Sequence, residues 1–217
     1  MEDIIFRLAV SIPGFLLAIV FHEAAHAYVA LRFGDPTAKL QGRLSLNPAV
    51  HWDLVGTIIM PIFFIVLGWG IFGYAKPVPV DPRNLKNVKW GIFWVSFAGP
   101  LANVALAIIS AFALVVCALK VSPDFYLYDV LRKMLESSVY INIILAVFNL
   151  IPWPPLDGSK MVATFLDYNQ ARKYEELQRF SLLFFIILWQ TNILSYVMSP
   201  AMMAANGVIH LFGALLS

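Results

Sequence analysis

Long apolar runs separated by short polar stretches dominate this chain. The first run covers residues 4–31 and the second covers residues 91–119. Three further apolar segments follow, at residues 139–151, 180–198 and 201–216. Because a helix needs about 20 apolar residues to cross the hydrocarbon core of a bilayer, this pattern predicts an all-α polytopic membrane protein with about five to six transmembrane segments.

The stretches between the long runs carry different signals. Residues 54–73 are apolar but rich in glycine and proline, and we interpret them as a re-entrant segment that enters the membrane without crossing it. Around Leu44 polar and apolar residues alternate, and around Val78 prolines exclude a helix. The first pattern predicts short β-strands at the membrane surface, and the second predicts an extended stretch.

The composition agrees with a membrane environment. Hydrophobic residues make up 60% of the 217 residues and charged residues only 13%, whereas soluble domains carry about a quarter charged residues. The net charge of +2 and the scattered basic residues give no support to nucleic-acid binding. Cys117 is the single cysteine, which excludes an intramolecular disulfide and a cysteine-based zinc cluster.

No internal repeat or low-complexity linker divides the chain. We therefore predict one domain over residues 1–217. Its core would cover residues 4–160, and a C-terminal helical hairpin would cover residues 180–216, with a break at Ser199-Pro200.

Two histidines and a carboxylate stand inside the first apolar run, in the order His22-Glu23-Ala24-Ala25-His26. On a helix, positions i and i+4 share a face, so both imidazoles can bind one metal ion while Glu23 takes a proton from water. The same pattern also occurs by chance in helices that bind nothing. Ionisable groups at membrane depth cost about 2.5–3.5 kcal/mol each, however, which favours a metal site.

A catalytic zinc site usually has three protein ligands, so two histidines leave one ligand to be found. Asp157 is the best candidate because it follows an apolar segment and tandem prolines that interrupt helical hydrogen bonding. Gly158 next to it permits a close approach of the backbone. The alternative is that Asp157 caps the helix that follows.

Three motifs follow one another along the chain. They are His-Glu-x-x-His at residues 22–26, Gly-Pro-x-x-Asn at residues 99–103, and Asn-x-x-Pro followed by Leu-Asp-Gly at residues 149–158. In this order they resemble the site-2 protease family of intramembrane zinc metalloproteases, over roughly two thirds of the chain. The resemblance implies a compact member, without a PDZ domain between the zinc motifs or a nucleotide-sensing domain after the last helix.

By this resemblance, His22, His26 and Asp157 would bind one Zn²⁺ per chain and Glu23 would be the catalytic base. The implied function is hydrolysis of peptide bonds in or near the transmembrane segments of membrane-protein substrates. The alternative is a membrane metal transporter or metal-sensing protein that uses the same ligands to carry or sense ions. Glu23 separates the two, because hydrolysis requires a general base and transport does not.

Other polar residues near the motifs have open interpretations. By the resemblance, Asn103 would hydrogen-bond the substrate backbone or the developing oxyanion, and an asparagine that joins two helices is an equal alternative. Asn149 and Pro152 match the family motif before the aspartate, and we interpret them as site architecture. His51 and Asp53 lie outside the motifs and fit an interfacial pair beside a tryptophan better than an auxiliary metal site.

Charge distribution gives an expectation for topology. If residues 54–73 re-enter the membrane, most lysines and arginines collect on one side, as is typical of cytoplasmic loops. We therefore expect a multi-pass protein of the cell membrane, with its active site toward the cytoplasm. Its partners would be the lipid bilayer and a transmembrane protein or peptide substrate, which could pair with the extended stretches around Leu44 and Val78.

Overall fold

The computed structural model describes residues 2–68 and 73–216. Its α-helices in chain order are α1 (Glu2–Arg32), α2 (Thr37–Leu40), α3 (Met60–Val66), α4 (Val88–Lys120), α5 (Tyr128–Asn149), α6 (Asp157–Ala163), α7 (Tyr168–Glu175), α8 (Ser181–Gln190) and α9 (Ile193–Leu216). Short 3₁₀-helical turns lie at Pro48–Val50, Pro82–Asn84 and Glu176–Phe180, and a π-helix at Leu54–Ile59 leads into α3.

The core of the bundle is formed by α1, α4 and α5, which pack against one another. Apolar side chains of α1, including Phe15 and Ile19, pack against Ile141 of α5. Gly14 of α1 lets these helices approach closely, because a Cβ at that position would lie 3.1 Å from the backbone of Ser138. Small residues at helix contacts are typical of packing in membranes, where backbones must come close to gain dispersion energy.

Polar side chains also join α4 to α5 inside the bundle. The hydroxyls of Ser110 and Ser138 are 2.9 Å apart, and the side-chain nitrogen of Asn103 donates to the side-chain oxygen of Asn142 at 2.9 Å. Such interhelical hydrogen bonds satisfy groups that would otherwise be costly to bury. They fix α4 against α5 in the layer that also contains the candidate site.

The C-terminal helices cover this core. Ala205 of α9 packs against Ala111 of α4 and Val139 of α5. Leu188 of α8 packs in a second cluster with Phe148 at the end of α5. The short helix α6 packs against α4, and this contact brings its first residues to the centre of the bundle.

The predicted surface β-strands are wrong, because within residues 2–68 and 73–216 no residue pairs in a strand, either around Leu44 or in the stretch around Val78. Pro77 and Pro79 flank Val78 and have no N–H to donate to a ladder. Near Leu44 the chain turns instead, since Gly42, two residues after the end of α2, has a φ of +68°. Alternation of polar and apolar residues over so few positions does not distinguish a strand from a turn.

The predicted number of membrane spans is also wrong. In the described residues, three helices are long and apolar enough to cross a membrane, at Ile4–Arg32, Val88–Lys120 and Ile193–Leu216. The helix α5 has 22 residues, but its first half is charged. These charges are carried by Asp129, Arg132, Lys133 and Glu136. Counting apolar segments without regard to the length and the charges of the helix that contains them therefore overstated the number of spans.

The boundaries near the C-terminus differ from the prediction as well. The chain breaks at Thr191-Asn192, and α9 continues through Pro200 where a break was expected. Of the segment 54–73, the structure shows an apolar helix over Leu54–Val66, shorter than a full span, and residues 69–72 lie outside the described part. The division into a core and a C-terminal hairpin stays a prediction.

Candidate metal centre

His22 and His26 lie one turn apart on α1 and face Asp157 at the start of α6. The Nε2 atom of each histidine is 3.1 Å from Oδ2 of Asp157. All three residues are buried, with exposed fractions of 8%, 7% and 5%. One possible ligand atom from each lies within 4.8 Å of the others. The fold thus brings together the three residues that the sequence proposed as metal ligands, across 135 positions of the chain.

The other ring nitrogen of each imidazole forms a hydrogen bond with a residue of α4. Nδ1 of His22 donates to the side-chain oxygen of Asn103 at 2.6 Å, and Nδ1 of His26 donates to the carbonyl oxygen of Val95 at 2.6 Å. A proton on Nδ1 leaves the lone pair of Nε2 for a metal ion. Two imidazole nitrogens and one carboxylate form a donor set that suits zinc, so the residues present fit the ion.

Asn103 is fully buried and makes three hydrogen bonds. Besides accepting from His22, it donates to the carbonyl oxygen of Ala18 at 3.0 Å and to the side chain of Asn142. Asn103 therefore joins α4 to α1 and α5, which is the second of the two interpretations given for it from the sequence. Its contact with His22 was missed by the sequence reasoning, and its part in catalysis stays a prediction.

The close approach of α4 to the histidines depends on Gly99. A Cβ at this position would lie 2.5 Å from Nε2 of His22 and 2.6 Å from Cε1 of His26. Both distances are shorter than real Cβ contacts, so a side chain here would displace the rings. The need for space beside the two imidazole rings thus explains the glycine of the Gly-Pro-x-x-Asn motif.

Asp157 reaches the site from the loop that leaves α5. The loop turns tightly, and a Cβ at Gly158 would lie 2.3 Å from the carbonyl oxygen of Leu150, so a larger residue does not fit. Asp157 is the first residue of α6 rather than its cap. Its second oxygen, Oδ1, accepts a hydrogen bond from Lys160 at 3.0 Å.

The surroundings of Asp157 keep it charged. Burial raises the pKa of its carboxyl, but the surrounding polar and charged groups, among them Lys160 at 3.0 Å from Oδ1, lower it more. The pKa of Asp157 consequently lies well below its ordinary value of 3.8. At neutral pH the group is a carboxylate, which is the form that binds a metal ion.

Glu23 lies where two cavities meet. The larger one, which we call the main groove, has a volume of about 880 Å³ and is lined by the three candidate ligands, by Val78 and Val80, and by Lys160. The smaller one, the apolar cavity, has a volume of about 340 Å³. Its apolar walls come mainly from α1 and α5, through Phe15, Ile19, Ile141, Ile144, Leu145 and Phe148. His22 and Glu23 line both cavities.

The carboxylate of Glu23 is held by the backbone of the connection between α3 and α4. The amide of Val78 donates to Oε2 of Glu23 at 2.9 Å. A candidate base held by a third group beside a metal site has the arrangement that general-base chemistry needs.

Asn149 also lines both cavities, next to Glu23. Its side-chain nitrogen donates to the carbonyl oxygen of Leu145 at 3.0 Å, one turn earlier in α5. From the sequence it was interpreted as architecture before the aspartate. Because Asn149 lies at the junction of the two cavities, it is a candidate contact for the substrate. The sequence motif around it did not indicate this position.

His51 and Asp53 lie outside this cluster. His51 is fully buried, and its Nε2 donates to the carbonyl oxygen of Ser45 at 2.7 Å. Asp53 caps the π-helix by accepting from the amides of Val55 and Gly56. Both residues thus hold the loop that precedes α3.

Comparisons with known proteins agree on one family. The model of the family described as "Peptidase family M50" matches residues 126–189, a range that includes Asp157 and not the histidines. The Bacillus subtilis protein named "Putative zinc metalloprotease YwhC" is 36% identical over 202 residues, covering 92% of this chain and 89% of that protein.

Two mycobacterial proteins named "Putative zinc metalloprotease Rip2" are also similar. The Mycobacterium tuberculosis protein (strain H37Rv) is 30% identical over 82% of this chain and 65% of its own length. The Mycolicibacterium smegmatis protein is 28% identical over 85% of this chain and 68% of its own length. No solved structure matches this chain.

Proposed function

The chain belongs to the site-2 protease family, peptidase family M50, of intramembrane zinc metalloproteases, and we propose that His22, His26 and Asp157 hold its zinc while Glu23 is the catalytic base. The observation that carries this proposal is the convergence of the three ligand atoms within 4.8 Å, with Glu23 lining the same groove. We further propose one zinc ion per chain, because one set of three ligands is assembled in the described residues.

The side chains divide the chemistry among them. A zinc ion bound here supplies Lewis acidity to a water molecule or to a substrate carbonyl. Glu23 accepts the proton of the attacking water and returns it to the nitrogen of the leaving amine. Asn103 and the carbonyl of Val95 keep the two imidazoles in the tautomer and orientation that leave Nε2 for the metal.

The two cavities support a substrate site with two parts, one for the backbone of the substrate and one for a side chain. The main groove takes an unwound stretch of the substrate and admits water, because charged residues line part of it. The apolar cavity takes an apolar side chain next to the bond that is cut, because it opens beside Glu23 and its walls are almost entirely apolar. Asn149, at the junction, is placed to contact the carbonyl of that bond.

The backbone at residues 75–81, which lies in neither a helix nor a paired strand, supports binding of an extended substrate. Pro77, Val78 and Val80 line the main groove. The amide of Val78 is used by Glu23, so the substrate would pair with the amide of Val80 and with carbonyl groups of the stretch. The stretch around Leu44 does not line the groove, so we assign the pairing to residues 75–81.

The chain is a membrane protein, and we propose the cell membrane as its location, with the groove toward the cytoplasm. Two basic residues, Lys89 and Lys160, line the main groove. Lysine and arginine collect on the cytoplasmic side of membrane proteins. Labelling of single cysteines at Lys39 and Lys86 from outside intact cells tests the orientation, and both positions should be protected.

The test of the enzyme compares purified wild type with Glu23→Gln in detergent, by zinc content and by cleavage of a model transmembrane substrate. Glu176→Gln is the matched control, since Glu176 is exposed in the turn after α7. We expect zinc near one per chain in all three proteins, and loss of cleavage in Glu23→Gln alone. Full cleavage by Glu23→Gln would refute the assigned base, and zinc binding without cleavage by wild type would refute the function.

A further inference from the structure

Arg43 is a buried arginine that no motif accounts for. Only 8% of it is exposed, and it lies directly after the turn at Gly42. Its Nη2 atom donates to the carbonyl oxygens of Lys76 and Pro77, the second at 3.3 Å. Burying a guanidinium is costly unless it is hydrogen-bonded, so these two carbonyls determine where the side chain lies.

The same backbone segment is held from the loop around the π-helix. The amide of Lys76 donates to the carbonyl of His51 at 2.9 Å. Two residues earlier, the amide of Tyr74 donates to the carbonyl of Gly56, and the hydroxyl of Thr57 donates to the carbonyl of Tyr74, both at 3.0 Å. The backbone from residue 74 to residue 77 is therefore fixed through both its amides and its carbonyls.

The next amide after this fixed segment is the one that holds the catalytic base. Pro77 and Pro79 have no N–H group, so Val78 carries the one amide between Lys76 and Val80. That amide donates to Oε2 of Glu23 at 2.9 Å. The direction of the Val78 amide follows from the position of the peptide groups of Lys76 and Pro77, which Arg43 binds.

We propose that Arg43 is a positioning residue for Glu23, acting through residues 76–78. Its guanidinium fixes the carbonyls of Lys76 and Pro77, and this fixes the amide of Val78 against one carboxylate oxygen of Glu23. The inference rests on the proposed role of Glu23 as base. General-base catalysis depends on placing the base within hydrogen-bond reach of its proton, and small displacements reduce the rate strongly.

The first test measures structure without activity. Amide hydrogen exchange is followed by mass spectrometry in wild type, Arg43→Gln and Arg43→Lys, each in detergent. In Arg43→Gln, exchange in peptides that contain residues 74–80 should become about tenfold faster, while peptides of α4 and α5 keep their wild-type rates. Unchanged exchange at residues 74–80 would overturn the proposal, whether or not the enzyme cleaves the chosen substrate.

The second test separates positioning from binding and folding. In Arg43→Gln, kcat should fall by about tenfold or more while KM and zinc content stay within about twofold of wild type. Arg43→Lys should recover part of kcat, because one ammonium can still reach a carbonyl. Arg83→Gln is the control on the same connection, since Arg83 pairs with Asp81 and its side chain is 89% exposed.

The outcomes of the second test are distinct. A rise in KM with unchanged kcat would assign Arg43 to substrate binding and overturn the proposal. Equal loss of kcat and zinc in Arg43→Gln and Arg43→Lys would show general damage to the fold and would also overturn it. Absence of cleavage by wild type refutes the proposed function instead, and the exchange experiment then decides the contact between Arg43 and residues 74–80 separately.

Discussion

Nδ1 of His22 lies 2.6 Å from the side-chain oxygen of Asn103, which stands 81 positions further along the chain. The contact joins α1 to α4, and the asparagine that makes it is fully buried. It fixes the orientation of a histidine ring whose other nitrogen faces Asp157. An outer partner of this kind determines how well the ligand is presented to a metal ion.

Replacing this partner should weaken zinc binding. In Asn103→Leu, His22 loses its acceptor, and we expect zinc affinity to fall by about 10–100-fold, as measured by competition with a chelator. Ser110→Ala is the matched control, because it removes another buried polar group of α4 that bonds to Ser138 and not to a histidine. Equal zinc affinity in Asn103→Leu and wild type would contradict the orienting role.

Adding one carbon at Gly99 should disturb both histidines. The Cβ of Gly99→Ala would lie 2.5 Å from Nε2 of His22, so the ring or the helix must move. We expect a loss of zinc affinity of about tenfold or more, measured as retained zinc after dialysis. Gly207→Ala in α9 is the control, since a Cβ there meets no atom within 4 Å. Full zinc retention in Gly99→Ala would show that α4 can shift without cost.

The local geometry of the candidate site follows directly from the sequence, whereas its non-local contacts were indicated only indirectly, by the prolines and glycine near Asp157 and by the resemblance. The spacing of His22 and His26 places both on one helix face wherever that helix packs, so their proximity follows from helix geometry. Asp157 lies 135 positions after His22, at the start of α6, and the neighbouring prolines and glycine marked it as unusual without indicating what it contacts. The contact of Asn103 with His22 depends on how α4 packs against α1, and the hydrophobic pattern of the two helices does not specify that packing.

The errors in the fold have related causes. Around Leu44 the alternating pattern was too short to exclude the turn that Gly42 makes. Pro200 is tolerated inside α9, as prolines often are in membrane helices, so it did not mark the break. Arg43 received no role because its partners, the carbonyls of Lys76 and Pro77, have no sequence signature.

Asp35 should make stability depend on pH. It is fully buried after α1 and accepts from Thr37, from the amide of Asp81 and from the side chain of Asn84. Burial raises the pKa of Asp35, but these hydrogen bonds lower it more, so it lies below the ordinary value of 3.8. A carboxyl with a depressed pKa stabilises the fold above its unfolded pKa, and this contribution is lost as pH falls through its folded pKa.

The variant Asp35→Asn tests this contribution. It cannot accept from every donor as a carboxylate does, so we expect a loss of about 2 kcal/mol at pH 7, read as a lower thermal midpoint in detergent. Between pH 5 and pH 3 its midpoint should fall less than that of wild type. Asp124→Asn serves as control because Asp124 is exposed in the turn after α4. Parallel midpoint curves for Asp35→Asn and wild type would contradict the depressed pKa.

The apolar cavity should decide which side chain is accepted beside the cut bond. Ile144 on α5 lines this cavity, whereas its neighbour Ile143 packs toward the cluster around Ala205. Ile144→Phe fills the cavity, so cleavage of a substrate with leucine at that position should fall by about tenfold relative to one with alanine. Kinetics with a substrate pair that differs at this residue measure the ratio. Ile143→Phe adds the same volume outside the cavity and should keep the wild-type ratio. If Ile144→Phe slowed both substrates equally, the cavity would not be the side-chain site, because filling it would then affect the reaction without affecting selection.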